Sequence, residues 1–303
     1  MKTARYIPML AAAAAALLAV SCVKNKLFDT PHPDHGTITV LADWSARGQG
    51  IDIPATWSVS VGDYTGTETG ATHTPDRLFE PGPYSLTVWN PADGIAVSGT
   101  TATVAPTFIV HSTRVPEETG GLIISDPGWF FTHTQQVTIE KDRDHLFVAP
   151  MQQQVRELTL VIEPSGDAAG RITKIAAELS GAAGTLDFAT GTYGTPSTVP
   201  FSFTKITSGA DAGKWAATVR LLGIAGSEQR LTGEISYEDN NPLPSTLESD
   251  LTEALAAFNT GKDEPLTLGG TIVKTPDAAE FTEFEVSDWK TVENDDIYAD
   301  MKQ

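Results

Sequence analysis

Cysteine is almost missing from this chain: one residue in 303, Cys22. A lone thiol allows no internal disulfide, so the fold must stand on its core and its hydrogen bonds. Histidine is also scarce, with six residues scattered mostly through predicted loops. No paired-cysteine zinc spacing, H-E-x-x-H, G-x-S-x-G, P-loop or dinucleotide fingerprint occurs. Asp239-Asn240-Asn241 has the residue types of a calcium loop without its twelve-residue spacing. These absences argue against an enzyme and against a bound metal or cofactor. Basic residues are outnumbered, 20 against 39 acidic, for a net charge of −19. Such a surface repels phosphate backbones, so nucleic acid is not an expected partner. Long apolar runs are lacking too. The longest, Ile7 to Val20, falls short of the roughly 20 residues that a membrane-spanning helix needs.

That short run is nonetheless informative. Lys2 and Arg5 precede it, Ala11 to Ala16 dominate it, and Ala19-Val20-Ser21-Cys22 closes it. A basic start, a short apolar stretch and small residues before a cut describe an export signal. The end looks like a bacterial lipobox, with cleavage between Ser21 and Cys22 and lipid on the Cys22 thiol. Ala19 stands where many lipoboxes have leucine. Each buried CH₂ contributes about 0.8 kcal/mol, and one chain holds only marginally, so the two or three chains of such a cysteine make a firm membrane anchor. Removing residues 1–21 leaves 18 basic residues against 39 acidic, a net charge of −21. Residues 22–36 read as a tether, with Pro31 and Pro33 opposing regular structure. His32-Pro33-Asp34-His35 has two metal-binding side chains, but nothing nearby completes a site, so it reads as solvated linker. Lys24 and Lys26 leave the leaflet and final surface unassigned.

What remains is rich in turn and strand formers. Gly (26) and Pro (19) punctuate short alternating segments. Residues 37–150 form a first region. There Ile38, Val40, Ala42 and Trp44 share one face, Trp57, Val59 and Val61 another, and Tyr84, Leu86 and Val88 a third. Shorter strands are expected at Ile95–Ser98, Thr100–Val104, Gln136–Glu140 and His145–Ala149. Residues 151–290 repeat the style through Leu158, Leu160 and Ile162, through Trp215, Ala217 and Val219, and through Leu231, Ile235 and Tyr237. Leu247, Leu251, Leu255 and Phe258 fall at helical spacing behind Ser245 and predict one short amphipathic helix. Residues 291–303 are an acidic tail. The expected fold class is mostly β: two tandem antiparallel sandwiches, with one short helix in the second.

Taken together, Cys22, His32-Pro33-Asp34-His35-Gly36, the first strand ending Val40-Leu41-Ala42-Asp43-Trp44, the segment Leu247–Phe258 and Val286-Ser287-Asp288-Trp289 resemble the FimB/Mfa2-like fimbrillin lipoproteins of Bacteroidetes, of the DUF5119 type. The resemblance implies transthyretin-like sandwiches. It implies a lipid-anchored place in the outer membrane at the cell surface, and an anchor or accessory role in type V fimbriae. Fimbrial subunits would be the partners, joined by β-strand complementation. In the stalk subunits of such fimbriae a trypsin-like protease cuts after an arginine near the first strand. Arg47 follows the first predicted strand here, and an anchor must keep that bond to keep Cys22. The competing reading is a surface glycan-binding lipoprotein, which needs an exposed aromatic platform from Trp57, Trp129 or Phe130.

Overall fold

The computed structural model describes residues 32–104, 121–272 and 283–291. Ser21 and Cys22, the rest of the export segment and the tail beyond residue 291 lie outside the described residues. Among the described residues the regular structure is nearly all strand, and the mostly β fold class holds.

The first body contains two sheets. In one, β1 (Gly36–Asp43) sits between β4 (Thr72–His73) and β9 (Arg143–Pro150). β1 runs parallel to β9 along its whole length, from Gly36 opposite Arg143 to Asp43 opposite Pro150. The other sheet has the order β10 (Gln152–Gln153), β8 (Phe131–Ile139), β5 (Gly82–Trp89), β2 (Trp57–Val61), β3 (Tyr64–Glu68). The alternation of β1 does what the sequence predicts. Ile38, Val40 and Ala42 point inward, where they pack with Trp57, Val59, Val88, Phe131 and Met151.

The second body is a ring of strands around the larger core. β12 (Ile172–Asp187) and β13 (Thr192–Lys205) form a long hairpin. From β13 the ring passes through β14 (Trp215–Leu221), β11 (Arg156–Pro164), β17 (Leu266–Ile272), β18 (Glu283–Thr291), β16 (Ser245–Asp250) and β15 (Arg230–Tyr237), and returns to β12. The hairpin serves both sides because the register slips between Leu179 and Ala182. Gly181 makes the slip possible. It adopts φ +76°, and a Cβ there would stand 2.6 Å from the Glu228 carbonyl oxygen.

Two expectations need correction. The short hairpin β6 (Ile95–Ser98) and β7 (Thr101–Val104) does not join the first body. It pairs with β12 through Thr103 opposite Thr185, and Ala102 and Val104 enter the second core. The helix over Ser245–Phe258 is absent. Ser245–Asp250 is strand β16, antiparallel to β15 and parallel to β18, followed by turns through Leu255 and Phe258. All four predicted apolar positions are fully buried. A step of four residues keeps a side chain on one face of a strand as well as of a helix, so Leu247 and Leu251 fit both periods. Two lone 3₁₀ turns, Ala169–Arg171 and Glu238–Asn240, are the helical content of the described residues.

Candidate functional site

Two places concentrate unusual chemistry: the junction between the bodies and the outer edge of the first. At the junction, consecutive aromatics part company. Phe130 enters the second core and Phe131 the first, while Trp129 packs on both. Asn90 makes this split possible. Its Oδ1 accepts from the Phe131 N–H at 2.7 Å, and its Nδ2 donates to the Trp129 and Pro91 carbonyls at 2.9 Å each. Asn90 itself is buried. The glycan platform sought in this stretch is therefore inside the protein. Phe130 and Trp57 are buried, and the Arg220 guanidinium stacks 5.4 Å from the centroid of the half-buried Trp129 ring.

Arg47 lies on the same junction, in the turn after β1. Its Nε donates to the Ile51 carbonyl at 2.9 Å and its Nη1 to the Trp44 carbonyl at 3.0 Å. The next N–H, on Gly48, donates at 2.9 Å to Oε1 of the buried Gln153. Gln153 Nε2 in turn donates to the carbonyls of Val155 and Lys262, at 2.9 and 2.7 Å. A side chain at position 48 would not fit, since its Cβ would lie 2.6 Å from the Asp263 carbonyl oxygen. The turn is thus pinned to the second body.

A cleft of about 430 Å³ opens beside this turn, lined in part by Gln152, Gln154, Phe188, Tyr193, Asn259 and Lys262. Lys262 donates from Nζ to the Gln154 carbonyl (2.8 Å), Gln154 Oε1 (3.2 Å) and the Leu222 carbonyl (3.2 Å), and sits 4.7 Å from the Tyr193 ring centroid. Burial, helped by the Arg156 charge, pushes its ammonium down to about 7, and burial pushes the Tyr193 phenol up to about 12. Arg156 holds the neighbouring loop through the carbonyls of Phe258, Thr260 and Glu264. Asn259 is spent on both backbone groups of Ile224. The polar groups here tie the bodies together, which makes the cleft a joint more than a receptor.

The first body's edge is different. Among the described residues β9 borders only β1, so one side of its backbone is unpaired. On its outer face Leu146 is 63% and Val148 43% exposed, next to the half-buried Leu41 of β1. Other open edges are poorer. β3 is five residues long with a central glycine, and the side of β13 away from β12 carries Pro196 and Pro200 and is partly covered, by a bridge from Thr198 to Leu122 and by β14. β9 has its one proline at the very end.

Against this geometry, known proteins were compared. No family model matches the chain, and no curated protein does. Solved structures match over most of its length. The fimbrial anchor protein Mfa2 from Porphyromonas gingivalis is similar with a TM-score of 0.53 at 12% identity, over 85% of this chain and 97% of that one. A candidate adhesin from Bacteroides ovatus ATCC 8483 gives 0.52 at 16% identity, over 87% and 95%. A candidate cell adhesion protein from Bacteroides eggerthii DSM 20697 gives 0.51 at 10%, over 88% and 98%. This chain shares the fold of Bacteroidetes adhesins and of a fimbrial anchor protein.

Sequence reasoning singled out Arg47, saw in Asn90 only part of the turn Asn90-Pro91-Ala92-Asp93-Gly94, and left Gln153 and Lys262 unnoticed. Their partners lie tens of residues away or more, with no local signal. It also read His32 as solvated linker, whereas its side chain is 7% exposed and bonded to Asp144. The strand expected at His145–Ala149 is present as β9, but nothing local marks it as an edge; its partners are set by the fold.

Proposed function

We propose that this protein is a lipid-anchored surface component of type V fimbriae, of the DUF5119 type. It is held in the outer membrane by Cys22 and joined to fimbrial subunits by strand complementation. The observation that carries this is the open edge of β9, on a fold shared with a fimbrial anchor protein. An added strand would satisfy the unpaired backbone groups of β9, each bond contributing a net 0.5–1.5 kcal/mol or about that. Alternate side chains of the incoming strand would cover Leu146 and Val148. Finishing the burial of Leu146 contributes on the order of 1–2 kcal/mol more. Backbone pairing supplies affinity and the apolar patch supplies register. The anchor or accessory role follows from the tether. A chain fixed to the membrane at Cys22 presents its partner surface farther out.

The test is a pull-down from membranes with the Cys22 lipid intact, followed by identification of what elutes. Co-elution of fimbrial subunits supports the reading. Recovery of polysaccharide without them would favour the glycan-binding alternative, despite the burial of Trp57 and Phe130.

A further inference from the structure

His32 is the first of the described residues, and its ring is bonded to the body. Its Nδ1 lies 3.1 Å from the His35 carbonyl oxygen and its Nε2 3.0 Å from Asp144 Oδ1. Both ring nitrogens therefore face acceptors. A neutral imidazole has one N–H and can satisfy only one of them, whereas the imidazolium satisfies both. Asp144 also accepts from the Thr37 hydroxyl. Beside it, the Asp142 N–H donates at 2.7 Å to the His35 carbonyl, and Gly36 exchanges both backbone bonds with Phe79.

We propose that His32 is a proton-operated clasp, fastening the segment that leads into β1 onto the root of edge strand β9. With the ring doubly protonated, residues 32–35 are bonded to Asp144 across the parallel β1–β9 pair. With the proton lost, one of the two bonds must go. Burial opposes the charge on His32, but the His35 carbonyl and the Asp144 carboxylate outweigh it and raise its pKa above the ordinary value. The Thr37 hydroxyl, then His32, lower the pKa of Asp144, so the carboxylate stays ionised while His32 titrates. The sign follows. A raised histidine contributes its stabilisation at pH below the unfolded value, and loses it as pH rises through the folded one.

Other charged and titratable groups surround the turn. Arg143 is paired with Glu140 at 3.0 Å. Asp34, His35, Lys141 and Asp142 flank the same turn. His145 Nε2 accepts from the Glu140 N–H at 2.9 Å within that turn. The variant at His32 separates its contribution from theirs.

The test is hydrogen exchange on the full mature chain in detergent, corrected for intrinsic rates. It compares about pH 5.5 with about pH 8, on either side of the ordinary histidine value near 6.5. Peptides covering residues 32–38 should lose protection several-fold at the higher pH. His32→Gln, which can donate through its amide but does not titrate, should show no such step. Asp144→Asn should move the step to lower pH. If the peptides are equally protected at both values, or better protected at the higher one, the clasp does not exist. If His32→Gln keeps the step, another group controls it and the assignment falls.

Discussion

Asn90 is a small side chain with a large duty. The chain at Trp129-Phe130-Phe131 must turn one ring into each core, which leaves the Trp129 carbonyl and the Phe131 N–H to a side chain. Asn90 supplies both the acceptor and the donor that those groups lose. Removing it leaves the Phe131 N–H and the Trp129 carbonyl unpaired, at about 1–3 kcal/mol each before relaxation. We expect Asn90→Ala to lower unfolding free energy by about 2–4 kcal/mol in denaturant titration, and Asn90→Asp, which sets a carboxylate oxygen against the buried Trp129 and Pro91 carbonyls, by at least as much. Lys262 yields a second prediction, one of sign. Its proton is held to about 7 in the folded state and to about 10.4 when unfolded. Between those values the unfolded chain binds more protons, so stability rises with pH, by at most about 1.4 kcal/mol per unit. Unfolding midpoints from pH ~7 to ~9.5 should climb in the native chain, and less steeply in Lys262→Met. A flat native profile would show that the three carbonyls keep this ammonium charged. Neither residue was legible in the sequence. Asn90 reads there as part of the turn Asn90-Pro91-Ala92-Asp93-Gly94, because a turn is a local fact and a clamp 39 residues away is not.

At the scale of elements, periodicity was a good guide to which residues are buried and a poor guide to what they are buried in. The alternating faces of β1, β2, β11, β14 and β15 came straight from the order of apolar residues. Strand β16 did not, since Ser245 and Ser249 occupy its inward positions and only the four-residue spacing of leucines remained visible. Ser249 has a reason to be inside: its hydroxyl donates to the Val286 carbonyl at 2.6 Å and accepts from the Trp289 indole at 2.7 Å. Pairing partners were less legible still. That β1 would lie parallel to a strand about a hundred residues later, and leave that strand's far side open, is a property of the closed fold. The edge strand nevertheless gives a sharp prediction. Lysine at Leu146 or Val148 lies on a water-facing surface and should change stability by no more than about 0.5 kcal/mol. Charge on an edge blocks strand addition. The double variant should therefore keep its unfolding transition and lose at least about tenfold in capture of fimbrial subunits from membranes. Unchanged capture would move the acceptor edge elsewhere in the molecule.

For the whole molecule, the decisive question is whether the chain stays in one piece between Cys22 and the two cores. A cut after Arg47 would leave Cys22 and β1 on one fragment and nearly all of both bodies on the other. The surroundings of that bond oppose it. A protease needs several residues drawn out into an extended strand, but Arg47 is tied back to Trp44 and Ile51, and Gly48 is tied across the junction to Gln153. Releasing the segment breaks those bonds and lifts the turn from the Asp263 backbone. Each buried bond lost costs about 1–3 kcal/mol, and every 1.4 kcal/mol of opening energy slows cleavage about tenfold when opening is rapid. We therefore expect the mature protein to begin at Cys22 with the Arg47–Gly48 bond whole, as read by mass spectrometry of the membrane-extracted chain. Limited trypsin should cut at Arg47 slowly in the native protein, and at least about tenfold faster in Gln153→Ala, where the tie to Gly48 is gone. The variant also loosens the Lys262 loop, so cutting at Lys262 is a control. If Arg47 alone becomes sensitive, the Gly48 tie is the guard, and if both sites open together, the junction loosens as a unit. A mature terminus at Gly48 would overturn the anchor reading itself, because it would leave the body without its lipid and make the chain a processed subunit.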